Sequence, residues 1–449
     1  MITRRRFLQA VTAMPLVPRL QASTQNWPSF RGPLGSGLGD GFPLPTSWNA
    51  DPKAGPLRGV GWRAAVPGLG HSSPVVWNDR IFVPTAIAQG GPAPLRVAPG
   101  GRPEAADDNG VQSWAVLCFD KNSGRELWRR TAHKGKPGAQ RHAKATHANT
   151  SLASDGRHLV AFFGSEGLYC YNLDGRLLWS RDLGTINVSK YGIGWGYASS
   201  PAIAAGRVVL LCDDPENPFL AAFRLSDGHE LWRASRKGLC ERSWGTPLIH
   251  AGPEATQVVA NGWPWIVSYD LETGRELWRL RGGGDNPAPT PFAAKGWIYI
   301  TNAHGGASPI YVVRPGARGD ISLPEGTSSS DAVVWSRQQG GSYMSTPVVY
   351  GDHIFFATTR GAFRCFDART GSKLYEQRLA RDASVYSSLV AADGKIFCAA
   401  ENGKVYVIKA GSEYQLLATN NMSEPCYATP AISQGRLCFR TTGSLISIG

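Results

Sequence analysis

The stretch Asp120-Lys-Asn-Ser-Gly-Arg-Glu-Leu-Trp128 decides the fold, because its pattern returns along the chain. Full, shortened or degenerate copies end at Trp179, Trp232, Trp278, Trp335 and Tyr375. Asp and Gly favour a tight turn, since the Asp side chain can bond to nearby backbone and Gly accepts a positive φ. The aromatic residue then opens a strand, where a flat ring can fill the seam between two twisted sheets.

A second phrase also recurs: a small or aromatic residue, Ser or Thr, and Pro or a substitute, followed by an apolar strand. Its eight copies are His71-Ser-Ser-Pro74, Asn149-Thr-Ser151-Leu, Ala198-Ser-Ser-Pro201, Trp244-Gly-Thr-Pro247, Pro289-Thr-Pro291, Met344-Ser-Thr-Pro347, Tyr386-Ser-Ser-Leu389 and Tyr427-Ala-Thr-Pro430. If Ser151 and Leu389 replace the proline, the copies are 41 to 56 residues apart after a first interval of 77. That period is typical of propeller blades with four antiparallel strands. The excess in the first interval, about Ala88 to Gln112, is interpreted as a surface loop.

The two ends of the repeat region predict how the ring closes. The last repeat supplies only three strands, whereas Gly61-Trp62-Arg-Ala-Ala-Val66 is an outer strand without a blade. Joining this strand to the last blade leaves no unpaired edge. We therefore predict an all-β, eight-bladed propeller of four-stranded antiparallel blades over residues 60–449. The predicted docking residues between blades are Trp62, Trp128, Trp179, Trp232, Trp278, Trp335 and Tyr375.

The first residues resemble a twin-arginine export signal. Thr3-Arg4-Arg5-Arg6-Phe7-Leu8-Gln9 precedes an apolar stretch, Ala10 to Pro18, that is too short to span a bilayer. We expect a signal peptide over residues 1–22, an extended strap over residues 23–59, no transmembrane segment and a periplasmic or extracellular location.

The charge pattern argues against nucleic acid as a partner. Loss of the four leader arginines would lower the net charge from +13 to +9. The remaining Lys and Arg residues are scattered through turns beside acids, as in Gly124-Arg125-Glu126, and form no basic stripe.

The eight cysteines show no Cys-x-x-Cys spacing and no adjacent pair. Cys118, Cys170 and Cys365 hold equivalent repeat positions, which places them in different blades. We predict buried, apolar roles for the cysteines as a group.

The Asp-x-x-(Thr/Ser)-Gly-x-x-x-Trp copies resemble the docking motif of pyrroloquinoline-quinone-like (PQQ-like) propeller repeats, over about residues 60–449. Such repeats occur in quinoprotein dehydrogenases and in the outer-membrane assembly factor BamB, so the resemblance implies a fold and leaves the activity open. Trp27-Pro-Ser-Phe-Arg-Gly-Pro33 and Leu168 to Trp179 also resemble exported propeller proteins of planctomycete- and acidobacterium-type bacteria, whose role is unassigned.

The resemblance to quinoprotein alcohol dehydrogenases implies a quinone held between a tryptophan and two adjacent, disulfide-linked cysteines, beside a Ca²⁺ ion and an Asp base. The chain departs from that pattern, because it has no adjacent cysteines. Its most oxygen-rich run, Asp213-Asp214-Pro-Glu216-Asn217, is interpreted as a hairpin loop, since it lacks a glycine-shaped calcium loop.

Residues just before each Ser/Thr-Pro are expected at one mouth of the central channel, because the innermost strands line it. The candidate ligand-binding residues are His71, His147, Trp195, Tyr197, Trp244, Tyr343, Tyr386 and Tyr427. They offer rings for stacking on a planar molecule or gripping a peptide, and the competing interpretation is that they only plug the channel. His133, His142 and His147 have irregular spacings, so we predict a solvated loop there and no metal site.

These observations favour a non-catalytic binding or scaffold propeller, which we expect to be a monomer without a cofactor. Its loop face would meet a protein, peptide or glycan partner. The alternative is a PQQ- and Ca²⁺-dependent oxidoreductase acting on alcohols or sugars.

Overall fold

The computed structural model describes residues 26–98, 103–190 and 192–449, which form eight sheets around a central channel. The predicted signal peptide lies outside the described residues. The strands of blades 1 to 4, from inner to outer, are Val75–Trp77, Arg80–Ala88, Gln112–Asp120 and Glu126–Gly135; Ala153–Ser154, His158–Phe162, Leu168–Asn172 and Leu177–Arg181; Ala202–Ala204, Arg207–Cys212, Phe219–Arg224 and Glu230–Ser235; Leu248–Ala251, Thr256–Ala260, Trp265–Asp270 and Glu276–Arg281. Those of blades 5 to 8 are Phe292–Ala294, Trp297–Thr301, Ile310–Val313 and Val333–Arg337; Val348–Tyr350, His353–Ala357, Ala362–Asp367 and Lys373–Arg378; Val390–Ala392, Lys395–Ala399, Lys404–Lys409 and Leu416–Asn421; Ala431–Ser433, Arg436–Arg440, Ser444–Ile448 and Val60–Ala65.

Two short strand pairings lie outside the four-stranded pattern of the blades. Gly319–Asp320 pairs in parallel with the outer strand of blade 4, and Ser189–Lys190 pairs with Ile193–Gly194 in the connection after blade 2. Helical structure in the described part is limited to the turns Pro33–Gly35 and Gly164–Glu166. No helix there has the length and apolar character needed to cross a membrane.

The predicted closure of the ring is confirmed. Val60–Ala65 pairs antiparallel with Ser444–Ile448, with Arg63 opposite Ile446 and Ala65 opposite Ser444. The first strand of the repeat region is thereby the outer strand of the last blade, so the two ends of the repeat region stabilise each other.

Most seams between blades are filled by an indole from the preceding blade. The ring nitrogens of Trp62, Trp128, Trp179, Trp232 and Trp335 each donate to a backbone carbonyl in the turn of the next blade, over 2.8 to 3.2 Å. The glycine of that turn lies under the ring. Asp, Gly and Trp therefore recur for two reasons. Asp and Gly form the turn within one repeat, and Gly and Trp form the contact between two successive repeats.

Two predicted docking residues behave differently. Trp278 is fully buried in the seam between blades 4 and 5, but it donates to Gln257 Oε1 of its own blade over 3.0 Å. Blade 5 replaces the tight Asp-Gly turn with the long connection 314–332, so the usual carbonyl acceptor is missing at that seam. Tyr375 packs edge-on against Tyr414, with ring centroids 5.9 Å apart.

Residues 26–59 form a strap that enters the channel and then crosses to the edge of the ring. Trp27 exchanges two backbone hydrogen bonds with Val76 of the inner strand of blade 1, and Gly37 and Gly39 bond to Ala391 of blade 7. Farther along, Trp48 is buried beside Met422 and Phe439. The strap therefore fills both the channel and the seam between blades 7 and 8.

Candidate functional site

The two faces of the ring have different connections. Because the strands alternate in direction, the turns between strands one and two and between strands three and four share one face, which we call the turn face. The longer connections, including those that lead into the next blade, share the other, which we call the loop face. The strap enters from the turn face, where Asn26 accepts a hydrogen bond from the backbone of Asn78.

A cavity of about 970 Å³ occupies the centre of the loop face. Phe30 of the strap forms part of its base. The cavity is thus a funnel that is open to the loop face and blocked from the other side by the strap. Its size falls in the range of pockets that bind small molecules or short segments.

A ring of hydroxyl groups surrounds the base of this cavity. The backbone N–H of the Ser or Thr before the proline position donates to the hydroxyl of the equivalent residue in the next blade, over 2.8 to 3.1 Å. The chain of bonds runs through Ser73, Ser151, Ser200, Thr246, Thr290, Thr346, Ser388 and Thr429. It explains why Ser or Thr recurs, and it places Leu152 at the proline position where the spacing argument used Ser151.

The walls of the cavity carry aromatic side chains from different blades. Of the eight predicted channel-mouth residues, six line it: His71, Trp195, Trp244, Tyr343, Tyr386 and Tyr427. The other two lie elsewhere. The Tyr197 hydroxyl donates to Leu211 O over 2.8 Å, and His147 lies against Asp108 at 3.3 Å. Ligand binding by the six remains a prediction.

Several of these rings are held in fixed stacks. His142 and Trp195 are parallel within 2° at a centroid distance of 5.0 Å, and His71 stacks on Tyr427 at 4.3 Å. The Trp244 indole is fixed by a 2.9 Å hydrogen bond to Gly196 O. The cavity therefore presents fixed aromatic surfaces, and stacking on such surfaces costs little side-chain entropy.

Two connections of blade 1, residues 89–111 and 136–147, form what we call the cover, of which the structure describes all but 99–102. They are joined by backbone hydrogen bonds from Ala106 to Arg141 and from Arg96 to Ala143. Arg141 and Asp108 form a buried ion pair at 2.6 Å. The interpretation of Ala88 to Gln112 as a surface loop agrees with its described residues, most of which are exposed or half-buried. The expectation of a solvated histidine-bearing stretch was wrong at Arg141 and Lys144, which are buried because they pair with acids.

The cover is attached to blade 7 across the mouth of the cavity. Lys144 Nζ lies 2.9 Å from Glu401 Oε1 and 3.1 Å from the Tyr386 hydroxyl. The Tyr427 hydroxyl donates to the same Glu401 oxygen over 2.6 Å. Burial, together with this carboxylate, raises the pKa of Tyr427 well above its usual range. Sequence reasoning missed Lys144 and Glu401, because they are 257 residues apart and belong to no repeated phrase.

Two histidines that line the cavity have lowered pKa values. Burial lowers the pKa of His71 to about 3, against a weaker opposing effect of the Lys144 carbonyl. Burial and the nearby Arg96 and Lys144 lower the pKa of His142 to about 4. Both rings therefore act as neutral stacking groups near pH 7.

The histidines and the acidic run considered as metal ligands in the sequence contact other side chains among the described residues. His133 packs against Trp114, whereas His142 stacks on Trp195. Asp213 is fully buried and pairs with Arg236 and Ser243 at 2.6 to 2.7 Å. Among the described residues, no three His, Cys, Asp or Glu side chains are grouped closely enough to hold a metal ion. All eight cysteines are buried and unpaired.

Comparison with known proteins places this architecture in context. The model of the family described as outer membrane protein assembly factor BamB matches residues 112–238, 216–313 and 320–448. No curated protein has a sequence that matches the chain.

Solved structures share the fold at low sequence identity. BamB from Moraxella catarrhalis is 14% identical with a TM-score of 0.54, covering 81% of this chain and 98% of its own. Quinohemoprotein alcohol dehydrogenase from Comamonas testosteroni is 11% identical with a TM-score of 0.64, covering 96% and 81%. A europium-containing methanol dehydrogenase is 10% identical with a TM-score of 0.58, covering 95% and 91%.

Proposed function

The chain belongs to the family of outer membrane protein assembly factor BamB, and we propose that it is an exported, non-catalytic binding module whose partner docks on the loop face. The observation that carries the proposal is the central cavity, with its fixed aromatic walls and its base of hydroxyl groups. A protein, peptide or glycan would insert a segment there. The strap closes the other side, so binding would occur from one face only.

Several features of the cavity suit binding. Its aromatic rings are already stacked on neighbours, and the cover is tied to blade 7 by a buried ion pair. A partner would therefore meet a preformed surface and would lose little free energy in ordering it. Because the repeats are periodic, each blade contributes side chains to the lining of the cavity. No single blade contains the site.

The test compares binding of the protein and two variants to arrays of glycans and peptides. Trp244→Ala removes an indole from the cavity wall. Trp297→Ala removes a half-buried indole at the turn face of blade 5, and serves as the matched control. We expect at least a tenfold loss of binding for Trp244→Ala and little change for Trp297→Ala. Equal binding by all three proteins, or no binding by the unmodified protein, would overturn the proposal.

The alternative function is that of a quinone-dependent oxidoreductase. The flat rings and cationic side chains of the cavity suit a planar polycarboxylate. The cysteine and metal-ligand arrangements that the dehydrogenase resemblance implied do not fit. No two cysteines are adjacent or disulfide-bonded, Asp213 pairs with Arg236, and Asp214 accepts a hydrogen bond from the backbone of Glu216 in its own loop. Titration with PQQ and Ca²⁺ by absorbance and fluorescence tests this alternative. Stoichiometric binding with reduction of a dye by alcohols or sugars would support it and overturn the binding-module proposal.

A further inference from the structure

Blade 6 places three arginines without carboxylate partners at the mouth of the cavity. Arg360, Arg378 and Arg381 line the cavity and are exposed. Among the described residues, Arg378 contacts backbone carbonyls only, at 3.4 Å, and no acid lies within ion-pair distance of Arg360 or Arg381. The acids nearby are already paired, because Asp285 contacts His304 and Asp382 contacts Lys404. This wall therefore carries a net positive charge.

The charged wall continues into a groove between blades 5 and 6. This groove, of about 800 Å³, shares His304, Tyr343, Arg360 and Arg378 with the central cavity. Beyond them it passes Arg364, which pairs with Glu376 at 3.3 Å. The cavity and the groove form one continuous path from the channel axis to the edge of the ring. Such a path suits an extended chain better than a compact molecule.

The lining favours sugar rings over peptide side chains. The apolar side chains that line the cavity are aromatic rings, including Phe30, together with alanines, Pro103 and Met344. No Leu, Ile or Val is among the described lining residues. The described lining therefore offers no branched aliphatic side chain against which an apolar side chain of a peptide could pack. Flat rings beside hydroxyl and amide groups, such as Asn149 and Asn286, match the two kinds of surface that a sugar ring offers, an apolar face and polar edges.

We propose that the cavity and the groove between blades 5 and 6 bind an acidic oligosaccharide, a chain of sugar rings that carries carboxylate or sulfate groups. The sugar rings stack on Trp195, Trp244 and Tyr343, and the acidic groups pair with the three blade 6 arginines. Guanidinium groups can donate two parallel hydrogen bonds to a carboxylate or a sulfate. The inference rests on the proposed binding function and names the class of ligand.

The experiment uses the chain without residues 1–22 and follows binding by calorimetry and by tryptophan fluorescence. The probes are hexagalacturonate, a heparin hexasaccharide, fully methyl-esterified hexagalacturonate and hexaglutamate. We expect one of the two acidic sugars to bind at least tenfold more tightly than the uncharged ester and hexaglutamate. Its affinity should fall as the salt concentration rises, because exposed charge pairs are screened. Which acidic sugar binds distinguishes carboxylate from sulfate recognition.

Variants assign the charge dependence to blade 6. The combined change Arg360→Gln, Arg378→Gln and Arg381→Gln should weaken binding of the acidic sugar at least tenfold and reduce its salt dependence. Arg369→Gln removes an exposed arginine from the turn face of the same blade and should leave binding unchanged. An unchanged midpoint of thermal unfolding establishes that the triple variant is folded. Equal losses in the triple variant and in the control would contradict the assignment.

The outcomes separate this inference from the function on which it rests. Binding of the uncharged ester as tightly as the acidic sugars would overturn the charge requirement, yet it would support a glycan-binding module. Preferred binding of hexaglutamate would replace the sugar by an acidic peptide. Failure of both acidic sugars overturns the inference, whereas the proposed function stands or falls on the array comparison with Trp244→Ala.

Discussion

At the scale of single residues, the seams depend on the absence of a side chain at one glycine per turn. A Cβ atom at Gly124, Gly175, Gly228, Gly274 or Gly371 would lie 2.5 to 2.9 Å from a ring atom of the preceding blade's tryptophan. Such distances require the ring or the turn to move. The indole and the glycine therefore have to be present together, in two repeats that are neighbours in space.

Gly228 allows this contact to be measured apart from backbone strain. Gly228 has a φ of +70° and Gly206 a φ of +71°, but a Cβ at Gly228 would lie 2.5 Å from Trp179, whereas one at Gly206 meets nothing within 4 Å. Gly206→Ala should cost only the strain of a left-handed alanine, about 1 kcal/mol. Gly228→Ala should lower the free energy of unfolding by a further ~1–3 kcal/mol, because the indole is displaced. Urea unfolding of both variants checks this, and equal losses would show that the tryptophan contact contributes nothing.

At the scale of structural elements, the cover and the strap convert a ring of similar blades into a one-sided site. The cover brings Lys144, in its segment 136–147, to Glu401 of blade 7. The strap supplies Trp48 to the seam where the outer strand of blade 7 has Ala418 at the register position of a docking tryptophan. The cover thus supplies the cationic partner of Glu401, and the strap supplies an indole to a seam where the repeat has none.

The cover should make stability depend on pH through His71. Its Nε2 lies 3.0 Å from Lys144 O, and the neutral ring can donate a hydrogen bond there through its N–H group. Because burial lowers its pKa to about 3 from an ordinary 6.5, the unfolded chain takes up a proton between these values and the folded chain does not. The contribution is therefore complete above about pH 6.5 and is lost as the pH falls towards 3, by at most about 1.4 kcal/mol per pH unit.

His71→Gln should reduce the slope of the unfolding free energy against pH between pH 6.5 and 4.5. His229→Gln, which changes an exposed histidine in a blade 3 turn, should leave the slope as it is. Urea titrations at pH 7, 6 and 5 measure both. The explanation fails if His71→Gln and the unmodified protein lose stability in parallel on acidification.

At the scale of the whole molecule, closure by Val60–Ala65 makes the ring a single cooperative unit. This strand fills the open edge of blade 8, and its Trp62 docks on the turn of blade 1. A seam and a sheet edge thus depend on the same six residues. Loss of the strand would expose both at once.

Nested deletions separate the strap from the closing strand. We expect the protein without residues 1–59 to unfold at a lower temperature than the protein without residues 1–25, because Trp27 and Trp48 lose buried positions. Removing residues 1–66 should lower the midpoint further or prevent folding. Calorimetry of the three proteins measures each step. Identical midpoints for the second and third proteins would show that the closing strand is dispensable.

The repeated phrases were sufficient to predict the number of blades, the closure and the docking positions of Trp62, Trp128, Trp179, Trp232 and Trp335, because each depends on local turn chemistry or on a fixed period. The same period indicated six residues that line the cavity, whereas Tyr197 and His147 lie elsewhere. It was misleading where a repeat had diverged, as at Trp278, whose neighbour has no tight turn.

The tertiary structure alone decided what occupies the centre of the ring. Phe30 at the base of the cavity, the pairing of Lys144 with Glu401 and the junction of the blade 6 arginines with the aromatic walls join residues that are far apart in the chain and outside any repeat. Local propensity and periodicity determine strands and turns, and the sequence of each repeat contains both signals. A binding site at the axis is a property of all eight blades together, so its shape and charge follow only once the ring has closed.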